Sequence, residues 1–172
     1  STAVEMADRN HLYKNSAKEI AALNGCSVTF MAKYSFEDTG SSCHIHSSLW
    51  RPGSGGELET AMYDHDAPHQ MSETFRWWLG GLVATAREFS LLWAPTINSY
   101  KRFQPGSWAP TGVGWGIDNR TLGFRKVGDG PSTRVECRIP GADANSYFAF
   151  AGTIAGGMYG IENRIEPQIG RA

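Results

Sequence analysis

The sequence predicts an α+β fold with a largely antiparallel sheet packed against helices. Of its 172 residues, 41% are hydrophobic and 19% are charged, which is the balance of a globular domain. Runs with helical apolar spacing lie near both ends and in the middle, with β-type runs between them. The two kinds of run do not alternate strictly, which disfavours a doubly wound parallel sheet. Because neither a repeat nor a linker interrupts the chain, we expect one structural unit.

The N-terminal part is predicted to form a helix followed by a long hairpin. Apolar spacing predicts the helix over 3–24, with Gly25 at the position that follows a helix C-terminus. Two runs of β character, 27–34 and 43–50, flank a polar loop that contains glycine. Two such runs around a turn-rich segment are typical of a hairpin.

The middle of the chain is predicted to be a loop and then a second helix. The segment 51–70 is rich in glycine, proline and charge, so we expect mostly loop. Helical spacing returns over 71–93. Ser72 or His69 is the candidate N-cap, and Pro95 ends the helix.

The C-terminal part is predicted to hold three strands and a closing helix. After an irregular stretch at 98–110, the strands are 111–117, 121–127 and 133–139, and a turn joins the first two. Glycines occupy every second position of the first strand, which marks the close approach of another backbone or a ligand. The helix covers 144–161.

The helix 144–161 has no charge and carries glycines at the spacing GxxxG, which raises the possibility of a membrane span. It is short for a span and is dominated by alanine and glycine, so we predict a buried helix lying close on the sheet. The chain shows no secretory leader, and its three cysteines lack CxxC spacing. We therefore expect an intracellular, cytoplasmic protein that does not bind membranes.

The charge distribution excludes one class of partner and favours another. The net charge of −1 argues against a general nucleic-acid binder. Between residues 95 and 140, however, the sequence has seven Lys and Arg residues and three acidic residues. We expect this region to attract a small anion.

A first candidate site lies on the predicted strand 43–50. Side chains alternate along a strand, so His44, His46 and Ser48 share one face. Two neighbouring imidazoles suit metal or phosphate chemistry. The HxH pattern by itself is a weak indication, since such pairs are often structural.

A second candidate site lies on the strand 133–139, where Arg134, Glu136 and Arg138 share one face. An exposed ladder of salt bridges would explain these three residues alone. Counting Arg102, Arg120 and Arg125 as well, the arginines of this region outnumber its acids. Because guanidinium groups bind carboxylate and phosphate in bidentate fashion, the surplus predicts a metal–phosphate site.

Several segments, in this order along the chain, closely resemble the catalytic domain of the glutamine synthetase family. They are Thr29-Phe-Met-Ala-Lys33, Gly40-Ser-Ser-Cys-His-Ile-His46-Ser-Ser-Leu49, Asn98-Ser-Tyr-Lys-Arg102, Asp118-Asn-Arg120, Arg134-Val-Glu-Cys-Arg-Ile-Pro140 and Asp143-Ala-Asn-Ser-Tyr147. The resemblance implies an ATP-dependent ligase that uses Mg²⁺ or Mn²⁺. Such an enzyme phosphorylates the γ-carboxylate of glutamate, and an amine then displaces the phosphate.

The resemblance also implies roles for individual residues. His44 and Glu136 would bind the metal nearer ATP, while His46, Ser48, Arg125 and Arg134 would contact the nucleotide. Arg120 and Arg125 would face the transferring phosphate as catalytic residues. Gly40, Arg102 and Arg138 would hold glutamate.

One segment departs from the family pattern of glutamine synthetases. Where those enzymes read Gly-Tyr-Glu-Ala-Pro, this chain reads Gly106-Ser-Trp-Ala-Pro110, with Trp108 at the acidic position. An indole cannot accept a proton from ammonium, but it can pack on an alkyl chain or attract an ammonium group. The segment resembles the branch that ligates glutamate to polyamines or other amines, which makes Trp108 a candidate for the amine site. The simpler interpretation is that Trp108 only fills a loop.

The resemblance covers a partial catalytic domain over residues 1–172. The family's small N-terminal β domain, the segment with most of its acidic metal ligands and the C-terminal end of the domain have no counterpart in it. We therefore expect this piece alone to lack ligase turnover and not to form the family's double ring. Two alternatives remain open, namely an ordinary glutamine synthetase that uses ammonia and a non-catalytic relative with a nucleotide-binding or structural role.

Overall fold

The computed structural model describes residues 2–168. In that range it contains five α-helices, six β-strands and two short 3₁₀ turns at Pro68–Gln70 and Gly130–Ser132. In chain order the elements are α1 (Ala3–Leu23), β1 (Ile45–Ser47), β2 (Trp50–Pro52), β3 (Leu58–Thr60), α2 (Glu73–Thr85), α3 (Ser90–Trp93), α4 (Ile97–Tyr100), β4 (Gly112–Ile117), β5 (Leu122–Val127), β6 (Arg134–Cys137) and α5 (Ser146–Glu162).

Four of the strands form one sheet in the order β1-β6-β5-β4. Strand β6 runs antiparallel to both β1 and β5, whereas β4 and β5 run parallel. The residues 118–121 carry the chain back along the sheet, so that Leu122 starts beside Gly112. The predicted α+β class is confirmed, with a mixed sheet in which the antiparallel pairings predominate.

The main core lies against one face of this sheet. Ile45, Cys137, Phe124 and Trp115 occupy matching positions on the four strands and are all buried. They pack in one cluster with apolar side chains of α2 such as Leu79. Alternation along each strand therefore directs the intervening side chains to the opposite face.

Helix α5 confirms the predicted closing helix but packs against α2 rather than on the sheet. Asn145 caps it, since its side chain accepts hydrogen bonds from the backbone of the first turn. A Cβ atom built on Gly81 of α2 would overlap the backbone of Gly156 and Gly160. The glycine spacing thus serves close approach of two helices, and the predicted contact with the sheet was wrong. None of the helices within residues 2–168 combines the length and the apolar character that a bilayer span requires.

Helix α1 begins and ends as its sequence predicts. Thr2 and Glu5 form a capping box, in which each side chain accepts a hydrogen bond from the other's backbone N–H at 3.3 Å. Gly25 follows the C-cap with a φ of 69°, a conformation that favours glycine. Of the apolar positions that predicted this helix, Ala7 is buried, and Ser146 of α5 donates a hydrogen bond to its carbonyl oxygen at 3.2 Å.

The predicted hairpin of 27–34 and 43–50 was wrong. The segment 27–34 forms no strand, and the second run holds only the short strand β1 and the first residue of β2. Strand β1 pairs with β6, about ninety residues away in the chain. In this pairing Ile45 lies in the main core, next to Cys137 of β6.

Two further predictions needed correction in the middle of the chain. The segment 51–70, predicted as mostly loop, contributes to a small hairpin of β2 and β3. The helix predicted over 71–93 is interrupted and continues as α3. Ser72 is the N-cap of α2, with its hydroxyl accepting from the backbone N–H of Phe75 at 3.0 Å, so this candidate cap is confirmed.

Candidate active site

A row of side chains crosses the sheet on the face opposite the main core. His46 on β1 lies beside Glu136 on β6, Glu136 lies beside Arg125 on β5, and Arg125 lies beside Gly116 on β4. The glycine leaves the end of this row without a side chain. The predicted convergence of imidazole, carboxylate and guanidinium groups on one face is present in the structure.

Glu136 is the centre of this cluster. Its side chain is 7% exposed, and its Oε2 accepts hydrogen bonds from Arg125 Nη1 at 3.0 Å and Arg138 Nη1 at 3.2 Å. Its Oε1 lies 3.3 Å from His44 Nδ1 and 3.5 Å from His46 Nε2. One carboxylate thus contacts two guanidinium and two imidazole groups.

The surroundings keep the carboxylate ionised and the imidazoles neutral. Burial raises the pKa of Glu136, but the hydrogen bond and charge of Arg138, together with His44 and Arg125, outweigh burial and lower it overall. Burial and the charge of Arg138 lower the pKa of His44 to about 4, although Glu136 opposes this. Burial is also the largest cause of the lowered pKa of His46. At neutral pH the cluster is therefore positively charged, with neutral imidazole nitrogens.

Arg134 orients His46. Its Nε donates a hydrogen bond to His46 Nδ1 at 3.0 Å, so this nitrogen is the acceptor in the neutral ring. The proton then resides on His46 Nε2, which is the nitrogen facing Glu136. The arginine and the glutamate thus fix the tautomer of one imidazole.

Arg138 joins this cluster to the loop that carries Trp108. Its Nη2 donates to the carbonyl oxygen of Trp108 at 3.1 Å, and its Nε donates to that of Arg120 at 3.2 Å. Trp108 is 73% exposed and has a φ of 61°, which is uncommon for a bulky residue. The structure therefore brings the candidate amine residue and Arg120 next to the charged row through one buried guanidinium.

Arg102 and Gly40 lie together, and Arg102 joins this network through the backbone of Arg138. Arg102 is 2% exposed, and its Nη2 donates to the carbonyl oxygens of Arg138, Ile139 and Pro140. A Cβ on Gly40 would lie 2.8 Å from Arg102 Cγ, so only glycine fits there. Burial lowers the pKa of Arg102 to about 10.

Sequence reasoning missed the residue that holds the segment before β1. Asn98 donates through Nδ2 to the carbonyl oxygen of Lys33 at 2.6 Å and accepts from the Lys33 N–H at 2.9 Å. The buried Lys33 side chain in turn donates to the carbonyl oxygen of Asp38. These bonds replace the absent strand pairing of this segment. The signal available in the sequence was the Asn98 segment itself, which matched the family pattern without indicating a partner.

A second missed contact involves Asp118, which sequence reasoning placed in a turn. Its Oδ1 lies 2.9 Å from Arg125 Nη2, and its side chain is 79% exposed. Arg125 thus has one buried and one exposed carboxylate partner. Its buried Nε has no hydrogen-bond partner among residues 2–168.

A pocket of about 310 Å³ opens beside the free edge of β1. His46 and Ser48 line it together with the apolar side chains of Leu49, Phe150 and Ile154. Ser48 Oγ also accepts a hydrogen bond from Trp50 Nε1 at 3.0 Å. The pocket thus has a largely apolar lining with three hydroxyl groups and one imidazole.

The donor chemistry for a metal ion is present only in part. His44 and Glu136 supply a neutral imidazole and an ionised carboxylate, and both suit a divalent ion. Within residues 2–168, no group of three or more His, Cys, Asp or Glu side chains is arranged to hold a metal. The two candidate ligands therefore fit a metal ion that takes further ligands from elsewhere.

The sequence profile of the glutamine synthetase catalytic domain matches residues 1–170 of this chain. The chain belongs to the glutamine synthetase family. It is 52% identical over 164 residues to a gamma-glutamylethanolamide synthetase of Streptomyces coelicolor, covering 95% of this chain and 34% of that protein. It is 44% identical over 167 residues to a glutamate–isopropylamine ligase of a Pseudomonas species, covering 96% of this chain and 36% of that protein.

A glutamine synthetase of Frankia alni is 39% identical over 169 residues, covering 96% of this chain and 35% of that protein. The chain thus spans about a third of the length of these curated relatives. Two of the three relatives are named for an organic amine, so the resemblance to the amine-ligating branch of the family is confirmed.

Proposed function

We propose that this chain forms part of the active site of an ATP-dependent ligase that joins glutamate to an organic amine. The convergence of Arg125 and Arg138 on buried Glu136, with His44 and His46 alongside, carries this proposal. Such a group of cations next to a carboxylate suits phosphoryl transfer, in which catalysis consists mainly of positioning and charge stabilisation.

The reaction has two steps. In the first step, a γ-carboxylate oxygen of glutamate takes the terminal phosphoryl group of ATP, and ADP leaves. In the second step, the amine nitrogen attacks the acyl carbon, phosphate leaves and the nitrogen loses a proton. The product is a γ-glutamyl amide.

Arg120 and Arg125 stabilise the phosphoryl group as catalytic residues in this proposal. The buried and unpartnered Nε of Arg125 supports this role, because a donor without an acceptor gains a hydrogen bond when an anion binds. Arg138 and Arg102 hold glutamate, and Gly40 allows the backbone to approach it. Contacts of Arg138 with both the charged row and the loop of Trp108 support its place between the two substrates.

The nucleotide is proposed to lie beside β1. The pocket lined by His46 and Ser48 has apolar walls that suit a purine base. Arg134, which binds His46, and Arg125, which binds Glu136, are also proposed to contact the nucleotide. His44 and Glu136 are proposed to hold one Mg²⁺ or Mn²⁺ ion. A bound divalent ion would supply charge neutralisation between the triphosphate and the carboxylate.

We further propose that residues 1–172 are part of one catalytic domain of a longer protein, since the relatives are about three times as long. The complete protein would act in the cytoplasm as a homo-oligomeric double ring, and this piece alone would show no ligase turnover. The full-length protein is the polypeptide that the complete gene encodes.

The acceptor is proposed to be an organic amine rather than ammonia because of Trp108. Its indole is 73% exposed and lines an open pocket, where it can pack on an alkyl chain. Ordinary glutamine synthetase activity is the second candidate, and it is favoured by the 39% identity to an enzyme of that name. A non-catalytic nucleotide-binding or structural role is the third.

The test measures phosphate release and γ-glutamyl amide formation by the full-length protein with glutamate, ATP and Mg²⁺. Ammonium, ethanolamine, isopropylamine, putrescine and spermidine are compared as acceptors. Amide formation with an organic amine at a higher kcat/KM than with ammonium supports the proposal. Turnover with ammonium alone would identify an ordinary glutamine synthetase, and no turnover with any acceptor would refute the ligase.

A matched pair of variants separates the site from general effects of lost charge. Arg125→Ala is expected to lower kcat by about 10²-fold or more, because it removes a donor to the developing charge. Arg51→Ala is the control, since Arg51 is 66% exposed and pairs with Glu59 on the separate small hairpin. Equal losses in both variants would contradict the proposed role of Arg125.

A further inference from the structure

The pocket beside Trp108 lacks, among the described residues, the acidic side chains that a site for polycations would need. The pocket has a volume of about 420 Å³, within the range of small-ligand sites. The residues that line it are Pro105, Gly106, Trp108, Ala109, Thr111, Arg120 and Thr121. Its walls consist of apolar groups, two hydroxyl groups and one guanidinium. Among the described residues, no acidic side chain lines it.

The pocket is built against the charged row rather than isolated from it. Arg138 is 5% exposed and donates hydrogen bonds to the carbonyl oxygens of Trp108 and Arg120, which both line the pocket. The same guanidinium binds Glu136 at 3.2 Å. A molecule in this pocket therefore lies one buried side chain away from the proposed reaction centre.

The left-handed backbone of Trp108 agrees with a ligand-facing loop. A bulky residue at a φ of 61° is strained, and such strain persists where the surrounding structure holds it and is concentrated at binding sites. Here the bond from Arg138 to the Trp108 carbonyl oxygen holds the loop. The indole remains exposed as a wall of the pocket.

We infer that this pocket selects a monoamine with a short uncharged tail over a diamine or polyamine. The inference rests on the proposed function, because it assigns the pocket to the acceptor. A second ammonium group would meet no carboxylate among the residues that line this pocket, and the charged side chain that does line it, Arg120, carries the same sign of charge. An alkyl tail can pack on Trp108 and Ala109, and a hydroxyl on the tail can bond with Thr111.

The experiment compares butylamine with 1,4-diaminobutane, which have the same chain length and differ by the terminal ammonium group. The full-length protein is assayed for γ-glutamyl amide with glutamate, ATP and Mg²⁺. We expect kcat/KM for butylamine to exceed that for 1,4-diaminobutane by at least about tenfold. An equal or higher value for the diamine would overturn the inference and leave the proposed ligase intact.

A charge introduced at Thr111 provides the second arm. Thr111 is exposed, and no contact of its hydroxyl with the described residues competes for it. Thr111→Asp is expected to raise the ratio of diamine to monoamine kcat/KM by at least about tenfold over Thr111→Asn, which has a similar shape without the charge. An unchanged ratio in two active variants would overturn the assignment of this pocket. If no organic amine is used at all, both the inference and the proposed acceptor class fail together.

Discussion

The two faces of the four-stranded sheet carry opposite kinds of side chains on the same strands. On one face, Ile45, Cys137, Phe124 and Trp115 lie side by side, each at most 7% exposed. On the other face, His46, Glu136 and Arg125 lie side by side and end at a glycine. Removal of apolar surface from water stabilises the first face, whereas the second holds charges whose positive excess remains available to a ligand. Mutations on the two faces should therefore affect different properties.

The largest expected effect is on activity and follows from Glu136→Gln. The change removes the charge that faces Arg125, Arg138 and the two imidazoles. We expect kcat/KM of the full-length protein to fall by about 10²–10³-fold, since the proposed metal ligand and the alignment of both guanidinium groups are lost.

The control for this variant is Glu59→Gln. Glu59 also pairs with an arginine, Arg51 at 2.7 Å, but both side chains are about half exposed or more and lie on the small hairpin. Its kcat/KM should match the wild type in the same phosphate-release assay. Comparable losses in the two variants would show that the buried carboxylate has no special part in the reaction.

The second expected effect is on stability and follows from Phe124→Ala on the core face. The ring is 0% exposed and makes an edge contact with Trp93 at a centroid distance of 6.1 Å. Loss of the ring is expected to lower the free energy of unfolding by about 3–5 kcal/mol, measured by urea titration. Phe148→Ala serves as the control, because Phe148 is 62% exposed and should change stability by less than about 1 kcal/mol. A loss below about 1 kcal/mol for Phe124→Ala would contradict the described core.

The third expected effect is a pH dependence of stability due to His44. Because its pKa is lowered from 6.5 to about 4, the folded protein binds a proton there less readily than the unfolded chain. The contribution of neutral His44 to the free energy of unfolding is complete above pH 6.5 and is lost as the pH falls towards 4. We expect about 1–2 kcal/mol more loss of unfolding free energy over this range in the wild type than in His44→Asn. A slope in His44→Asn equal to that of the wild type would contradict the burial of this imidazole.

The smallest expected effect belongs to Asp118→Asn. Asp118 binds the same guanidinium as Glu136, at 2.9 Å from Arg125 Nη2, but is 79% exposed. Exposed ion pairs contribute little, and Asn tolerates the φ of 48° at this position. Stability should change by less than about 0.5 kcal/mol and kcat/KM by less than about threefold. A loss as large as that of Glu136→Gln would show that exposure is not what distinguishes the two carboxylates.

The alternation along β1 and β6 could be predicted because it depends only on neighbours in the chain. The period of two assigned Glu136 to one face and Cys137 to the other, and the structure confirms both positions. Helix ends were predictable for the same reason, since the caps at Ser72 and Gly25 act within a few residues.

Contacts across long stretches of chain could not be predicted in this way. The partner of β1 was expected at 27–34, yet β1 pairs with β6, and Ile45 of β1 is buried in the main core. The bridge from Arg138 to Trp108 spans thirty residues and depends on how the loop crosses the sheet. Arg102 was grouped with the other arginines by charge, and the sequence did not indicate that its buried Nη2 donates to three backbone carbonyl groups.

Local pattern alone thus determined helices α1 and α5, the start of α2 and the alternating faces of β1 and β6, because propensity, capping and strand alternation act over a few residues. The family was indicated by the resemblance of short segments. The parallel pairing of β4 and β5, the packing of α5 on α2 and the meeting of His46, Glu136 and Arg125 required the folded chain. These features depend on which apolar surfaces, far apart in the sequence, are buried against each other, and that is determined only when the whole chain folds.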